Sequence, residues 1–312
     1  MLLYVDIFCV IYSHIFVLLG HYMKIPVLNI HQFHESSKLN EVYVNSFSHH
    51  MELNRKLIDT PHSHDFFLCV LFFEGRGVHE IDFKTYDIQP GSIFFLKPGQ
   101  THFWDFEAPP EGYIFFHSQS FYELNFLGHG LALFPFYCSL LNPPIVTVTP
   151  EVLDSVGKKF KEAYSEYSGN SMLRKMKLLN LINGIYIELT RCYTSRTDLD
   201  KPLSSRYADI LQRLEVLIEK HFREEKLPKF YADRLYITTK HLNRVVKTTL
   251  NKTTSELIAE RVVLEAKRMM VHSPGNLADV AYALDFSDYA YFSKFFKDKT
   301  GSTPTAFQKT YL

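Results

Sequence analysis

The stretch from Leu277 to Phe307 constrains this chain more than any other. A short apolar pattern containing Ala281 and Leu284 ends in a tight turn around Asp285 to Ser287. A second pattern then begins, in which Phe292 and Phe296 lie one helical turn apart and share a face. Ser287 is placed to cap the second helix. Gly301 stands where a helix end wants a left-handed residue, and Pro304 bars continuation. Two short helices meeting at a tight turn make a helix-turn-helix, whose second helix is shaped to lie in the major groove of duplex DNA.

The pattern occurs twice. Leu242, Val246, Lys247 and Asn251 precede Phe292, Phe296, Lys297 and Gly301 by 50 residues each. Asn251 stands in for Gly301 because asparagine tolerates the left-handed conformation. Ala232 and Leu235 match Ala281 and Leu284 at an offset of 49, so the second turn holds one extra residue. Two copies are too few for a solenoid but suit two helix-turn-helix units on one connector. That connector runs from Ser255 to Ser273, with Leu257, Ile258, Val262, Leu264, Met269 and Met270 as its apolar residues. At helical rise it spans roughly 28 Å, against about 34 Å between successive major-groove segments. One rigid helix therefore sets two recognition helices into successive grooves, with some bending of the DNA.

From about Leu203 to its end the chain resembles the DNA-binding domain of AraC/XylS-type transcription regulators. The resemblance is carried by the second copy, Phe286-Ser287-Asp288 followed by Tyr291-Phe292-Ser293-Lys294 and Phe296-Lys297. Asp285 and Tyr236 stand where that family usually has glycine in the turn, Val246 replaces a usual phenylalanine, and Gln308 a usual arginine.

Charge follows the same division. Residues 203–312 carry 18 Lys and Arg against 13 Asp and Glu, a balance of +5, whereas residues 1–202 carry 16 against 21. The basic portion is the helix-turn-helix portion, as phosphate contact requires. Cys9, Cys69, Cys138 and Cys192 are scattered without C-x-x-C spacing, which favours reduced thiols and a cytoplasmic location. Residues 1–22 are mostly apolar, broken by Asp6 and His14, and no Lys or Arg precedes Lys24. The positive n-region of a signal peptide is therefore missing, and Asp6 argues against a membrane span. Met23 is the expected true start, the upstream segment being an over-extended one; a membrane anchor is the less favoured alternative.

From Val42 to Phe116, β-rich runs alternate with turn signals: Phe66 to Phe73, a Glu74-Gly75-Arg76-Gly77 turn, Val78 to Phe83, then Ser92 to Leu96, His102 to Phe106 and Gly112 to Phe116. Short strands with Pro-Gly corners at Pro90-Gly91 and Pro98-Gly99 suggest a jelly roll or related barrel. The spacing of His62-x-His64 and of Gly91 through Pro98-Gly99 to His102 also resembles a cupin, which matches the sensor domain common to AraC-type regulators.

Three imidazoles, His62, His64 and His102, suit a transition metal. A metal-using cupin adds a glutamate four or five residues after the second histidine, and here those places hold Leu68 and Cys69. The favoured reading is that the three histidines, with Trp104, line a small-molecule pocket or simply pack, with no cofactor. Most of the aromatics at Phe66, Phe67, Phe72, Phe94, Phe95 and Phe103 are expected to be plain core.

Two helices should follow, Pro150 to Ser168 and Ser171 to Thr194, the second with Met172, Met176, Leu179, Ile182, Tyr186 and Leu189 at helical spacing. One reading is that this face packs on the barrel. The family resemblance implies instead a homodimer interface, with Leu179, Ile182, Tyr186 and Leu189 as candidates. The polar segment 195–202 should be the interdomain linker, and Ile210 to Phe222 the first helix beyond it.

The expected fold is α+β. An apolar segment 1–22 precedes a cupin-like β-barrel over 23–149 and a helical pair over 150–194; after the linker, an all-α domain over 203–312 carries two helix-turn-helix units. Base reading falls to the first turns of each recognition helix. In the first unit these offer Thr239, Lys240, Asn243 and Arg244, where Lys240 and Arg244 suit guanine and Asn243 suits adenine. In the second they offer Tyr289, Ala290, Ser293 and Lys294, poorer in fork-shaped donors; Tyr289 or Ala290 suits thymine methyls. Lys247, Lys297 and Lys299 are expected on phosphate or in solvent, and Leu242, Val246, Phe292 and Phe296 in the core. The resulting expectation is a dimeric activator controlled by a small molecule, with double-stranded DNA and RNA polymerase as partners and no membrane. The alternative is a metal-dependent cupin enzyme with an accessory DNA-binding domain, but no P-loop, Rossmann fingerprint or nucleophile triad supports an enzyme. A regulator whose barrel only dimerises is a third.

Overall fold

A computed structural model describes residues 26–33, 39–126, 130–131, 134–138, 143–194, 205–272 and 276–311. Segment 1–22 and the linker 195–202 lie outside the described residues. The remainder falls into two compact units, divided between 26–203 and 204–312.

The first unit is built on eight strands: β1 (Val27–Leu28), β2 (Val42–Ser46), β3 (His62–His64), β4 (Phe67–Ile81), β5 (Lys84–Ile88), β6 (Ser92–Leu96), β7 (Thr101–His117) and β8 (Ile145–Thr147). Their order is β1-β3-β7-β4-β6-β8, with β2 also on β7 and β5 also on β4. The runs separated in sequence by Glu74 to Gly77 are one strand, β4, and those around Pro109-Pro110 are one strand, β7. The expected turn at Glu74-Gly75-Arg76-Gly77 is thus corrected to a bulged stretch within β4, where the register against β7 shifts between Phe72 and Gly77. Gly75 (φ 119°) and Gly77 (φ 154°) supply backbone that an L side chain rarely adopts, and a Cβ on Gly77 would lie 2.2 Å from the Asp105 carbonyl oxygen. Glycine here bends and twists the strand instead of reversing it. The true reversal is at Asp82 (φ 48°) and Phe83 (φ 67°), a two-residue hairpin loop of the type I′ pattern.

Alternation along the strands serves two cores. Leu68, Val70, Phe72, Phe94, Leu96, Ile114 and Phe116 face one, together with Trp104. Cys69, Leu71, Ile93, Phe95 and Phe115 face the other. Helix α1 (Phe47–Ile58) follows β2, and two short helices, α2 (Gln119–Glu123) and α3 (Pro135–Cys138), precede β8. The predicted pair is present as α4 (Pro150–Ser168) and α5 (Arg174–Thr194). They cover the second core with Val156, Phe160, Ala163, Leu178, Ile182, Ile185, Tyr186 and Leu189.

The second unit is all helical: α6 (Ser205–His221), α7 (Pro228–Arg234), α8 (Thr239–Leu250), α9 (Thr254–His272), α10 (Leu277–Ala283), α11 (Tyr289–Thr300) and α12 (Pro304–Tyr311). Helix α9 is the predicted connector, shifted by one residue at each end, and it packs against the six others. It starts at a capping box, in which the Thr253 N–H donates to Glu256 Oε2 (2.7 Å) and the Glu256 N–H to Thr253 Oγ1 (3.2 Å). Leu242, Val246, Phe292 and Phe296 are fully buried, as their spacing requires.

The turns of the two copies differ in length by one residue, which puts their closures and caps out of step. Tyr236 (φ 57°) and Asp285 (φ 56°) both hold the left-handed position after the first helix. The Ile237 N–H donates to the Ala232 carbonyl (3.1 Å) and the Phe286 N–H to the Ala281 carbonyl (3.0 Å), the same closure 49 residues apart. Thr238 caps α8 and Asp288 caps α11, now 50 apart. The cap is therefore Asp288, whose carboxylate accepts the Tyr291 N–H at 2.7 Å, and not Ser287, which donates to Asp288 instead. Asn251 (φ 52°) and Gly301 (φ 81°) end the recognition helices as expected. Tyr236 is 91 % exposed and gains nothing from its ring there. Tyr236→Gly should raise the stability of this unit by about 0.5–1 kcal/mol through relief of left-handed strain; a denaturation midpoint that stays put or falls would refute this.

Candidate functional site

Recognition helix α8 presents a basic face. Lys240, Arg244 and Lys247 are exposed, and with Thr238, His241, Asn243, Thr248 and Asn251 they line an open hollow of about 740 Å³. Two details modify the sequence expectation. Asn243 is half-buried and its Oδ1 accepts the Thr254 N–H at 3.0 Å, tying α8 to the start of α9. One lone pair of its carboxamide oxygen is thereby used inside the protein. Arg244 Nη2 donates to His241 Nδ1 at 2.7 Å, which brings in a residue the sequence reading passed over.

In the second copy, Ala290, Lys294 and Lys297 on α11 are exposed, and Ser293 is half-buried. Tyr289 is also half-buried, with its hydroxyl 3.4 Å from Thr305 Oγ1. Thr239, half-buried, opens α8 immediately after its cap. All ten candidate DNA-contact residues therefore lie on the two recognition helices, and the arginine fork sits on the first.

Within the first unit the predicted ligand residues come together. The ring centres of His62 and His102 are 4.3 Å apart, those of His64 and His102 5.2 Å, and those of His102 and Trp104 4.6 Å. A fourth histidine joins them: His79 Nε2 lies 3.1 Å from His102 Nδ1, so one of the two nitrogens carries the shared proton. His79 follows the inward alternation with Ile81 across β4, a pattern visible in the sequence. His62 Nδ1 donates to the Thr60 carbonyl and His64 Nδ1 to the Phe66 carbonyl, which fixes both tautomers with the lone pair on Nε2. His64 Nε2, His79 Nδ1, His102 Nε2 and Trp104 Nε1 are buried without a hydrogen-bond partner. Burial pushes His62 down to about 4 and His64 to about 3, and holds His79 and His102 well below the ordinary imidazole range. The cluster is uncharged at neutral pH.

These residues do not fit a metal-cupin centre. Leu68, at one of the two places a ligand glutamate would take, faces the apolar interior, and Cys69, at the other, faces the helices. Among the described residues, no group of three or more His, Cys, Asp or Glu side chains is placed to hold a metal ion.

The candidate dimer residues require a correction. Leu179, Ile182, Tyr186 and Leu189 are 6, 0, 0 and 0 % exposed and belong to the core between α5 and the sheet. Tyr186 is further anchored by its hydroxyl, 2.8 Å from His117 Nε2 and 2.9 Å from the Tyr137 hydroxyl. Helical periodicity found the buried face, and that face is used up within the subunit. The exposed apolar side chains of this region are Met172, Leu173, Met176 and Ile187.

A family model described as a helix-turn-helix domain matches residues 231–310, and one described as an AraC-like ligand binding domain matches residues 54–121. The HTH-type transcriptional activator RhaS of Yersinia pseudotuberculosis is 24% identical over 252 residues, covering 78% of this chain and 86% of that protein. Among solved structures, ToxT from Vibrio cholerae aligns with a TM-score of 0.42 at 14% identity, over 87% of this chain and 99% of that one. The C-terminal domain of AraT, a response regulator from Geobacillus stearothermophilus, aligns with a TM-score of 0.32 at 24% identity, over 34% and 88%. Among the described residues no helix is long and apolar enough to cross a membrane.

Proposed function

We propose that this chain, whose residues 231–310 match a helix-turn-helix domain and 54–121 an AraC-like ligand binding domain, is an AraC-type transcription regulator, a dimeric activator that reads DNA mainly through α8 and answers a small molecule held in its N-terminal sheet. The observation that carries the reading is the exposed basic face of α8, with Arg244 held and Lys240 and Lys247 beside it. Arg244 and Lys240 read guanine edges, Lys247 and Lys297 meet phosphate, and Thr239, Ala290, Ser293 and Lys294 complete the footprint. Asn243 and Tyr289 stand at its edge, since each side chain has a neighbour inside the protein. The effector site is the His62, His64, His102 and Trp104 cluster, supported by its unpartnered polar atoms. The second copy of the chain meets the first around Met172, Leu173 and Met176, supported by their exposure. This work takes place in the cytoplasm, with RNA polymerase as the further partner. The relatives are named as transcriptional activators, and the places a metal-cupin glutamate would take hold Leu68 and Cys69.

The test is sequence-specific binding, followed by fluorescence anisotropy across salt on duplexes that the wild-type chain selects from a random library. Arg244→Ala should cost about 1–3 kcal/mol and relax discrimination at one or two base positions. Lys294→Ala should weaken all sequences alike and flatten the salt slope by about one charge. An equal or larger loss of discrimination from Lys294→Ala would reverse the assignment of the two units.

A further inference from the structure

We propose that His241 is a positioning residue for DNA reading: it holds the Arg244 guanidinium in place and does not itself read a base. The inference rests on α8 being the principal reading helix. Arginine has donors only, so His241 Nδ1, 2.7 Å from Arg244 Nη2, must carry a lone pair and the ring proton must sit on Nε2. One N–H of the five-donor fork is thereby used, and the others stay available on the exposed side of the helix.

His241 is itself held from several sides. Its backbone N–H donates to Thr238 Oγ1 at 3.1 Å, which fixes it in the first turn of α8. Its half-buried ring meets the Tyr207 ring of α6 nearly edge-on, with centres 6.1 Å apart at 74°. The side chain behind Arg244 is thus anchored to a second helix, while Arg244 reaches into the hollow beside Lys240 and Lys247. An arginine already held loses less freedom when it meets a base edge than one that must be immobilised on binding.

The second copy has no counterpart. Fifty residues on, the two places hold Tyr291, whose ring packs 5.6 Å from that of Phe286, and Lys294, a point charge without a fork. The same device therefore accounts for the asymmetry between the units.

The experiment uses the full chain and the duplex that wild type selects from a random-sequence library. Anisotropy titrations compare wild type with His241→Ala, His241→Asn, Arg244→Ala and the Arg244→Ala/His241→Ala pair, each checked for unchanged helix content. His241→Ala should lower affinity for the selected duplex about fivefold and discrimination by a similar factor, with little effect on unrelated DNA. His241→Asn, whose amide oxygen offers an acceptor near the Nδ1 position, should restore most of the loss. In the Arg244→Ala background, removing His241 should cost almost nothing more. Additive losses, unchanged binding by His241→Ala, or an Asn variant no better than Ala would each overturn the inference while leaving DNA reading by α8 intact. If wild type selects no sequence at all, the premise falls and the inference with it.

Discussion

Acidifying the protein from pH 7 to pH 5 is expected to unfold its N-terminal unit. Four buried imidazoles have values set mainly by burial: His62 and His117 are pushed down to about 4, and His50 and His64 to about 3. His79 and His102 are also held well below the ordinary range, by burial and by the neighbouring histidines. Asp82 pulls His64 the other way and is outweighed. A depressed imidazole value means that the unfolded chain binds protons first. Stability therefore begins to fall as pH drops through about 6.5 and goes on falling towards the folded values near 4 and 3. At pH 5 each such histidine costs about 2 kcal/mol, so the first four together cost about 8 kcal/mol, comparable with the whole stability of a typical domain. Trp104, the chain's one tryptophan, sits 4.6 Å ring to ring from His102 and reports the event directly. Its emission maximum should shift to the red in a cooperative step between pH 6 and about 4.5. His64→Phe, which keeps the ring and removes a proton site, should move the step to lower pH. A Trp104 maximum that stays constant to pH 4 would show that the cluster tolerates charge and that the burial argument fails.

The same cluster shows where sequence is enough and where it is not. His62-x-His64 and His102 are brought together in the sequence only by the cupin resemblance, because strand periodicity is local and does not by itself pair β3 with β7. His79 obeyed that periodicity as well, but it lay beyond a glycine pair that looks like a turn. Gly75 and Gly77 are there for a bulge, and only the long-range register of β4 against β7 distinguishes the two. Helix α1 was illegible for a different reason: its buried face is Phe47, His50, Asn54 and Ile58, so half the stripe is polar and carries no hydrophobic period. In the second unit left-handed stops and apolar spacing are legible because they are decided within a few residues, while the cap of α11 falls one residue beyond the expected Ser287, at Asp288. What sequence could not supply there was side-chain commitment. Nothing in a string of letters says that Asn243 gives its oxygen to Thr254 or that Arg244 rests on His241. The dimer residues failed on the same ground, because periodicity reports burial and not what does the burying.

Removing the guanidinium of Arg261 is expected to cost the DNA-binding unit about 3 kcal/mol, near the lower end of what a broken buried ion pair costs. Arg261 is 5 % exposed and clamps α9 to α6. Its Nε and Nη2 donate to the two carboxylate oxygens of Glu219, each at 2.9 Å, and its Nη1 donates to Glu265 at 2.9 Å. The guanidinium carbon also lies 3.8 Å from the centre of the Phe222 ring. Glu219 is half exposed and Glu265 keeps Arg223 at 2.6 Å, so the loss does not reach the full penalty of an orphaned buried charge. Arg261→Lys should recover only part of it, because an ammonium cannot make the two-pronged contact and the ring stack together. Arg261→Met should also recover part of it, since packing on Phe222 survives while Glu265 keeps Arg223. The pH dependence carries a sign of its own. Burial pushes the Glu265 carboxyl up, but Arg261, Arg223 and Arg268 outweigh it and hold it below the ordinary range. Wild type therefore has this contribution above the ordinary glutamate range and loses it as pH falls through the lowered value. Arg261→Ala should narrow its stability deficit on acidification, measured in the full chain by the denaturant midpoint of the helical unit's own far-UV transition above pH 6 and near pH 4, where the N-terminal unit is already unfolded. Because both recognition helices are mounted on α9, operator affinity should fall in step with the unfolded fraction and recover at low temperature. A variant that stays folded at wild-type stability yet loses DNA binding would place Arg261 in the recognition surface instead of beneath it.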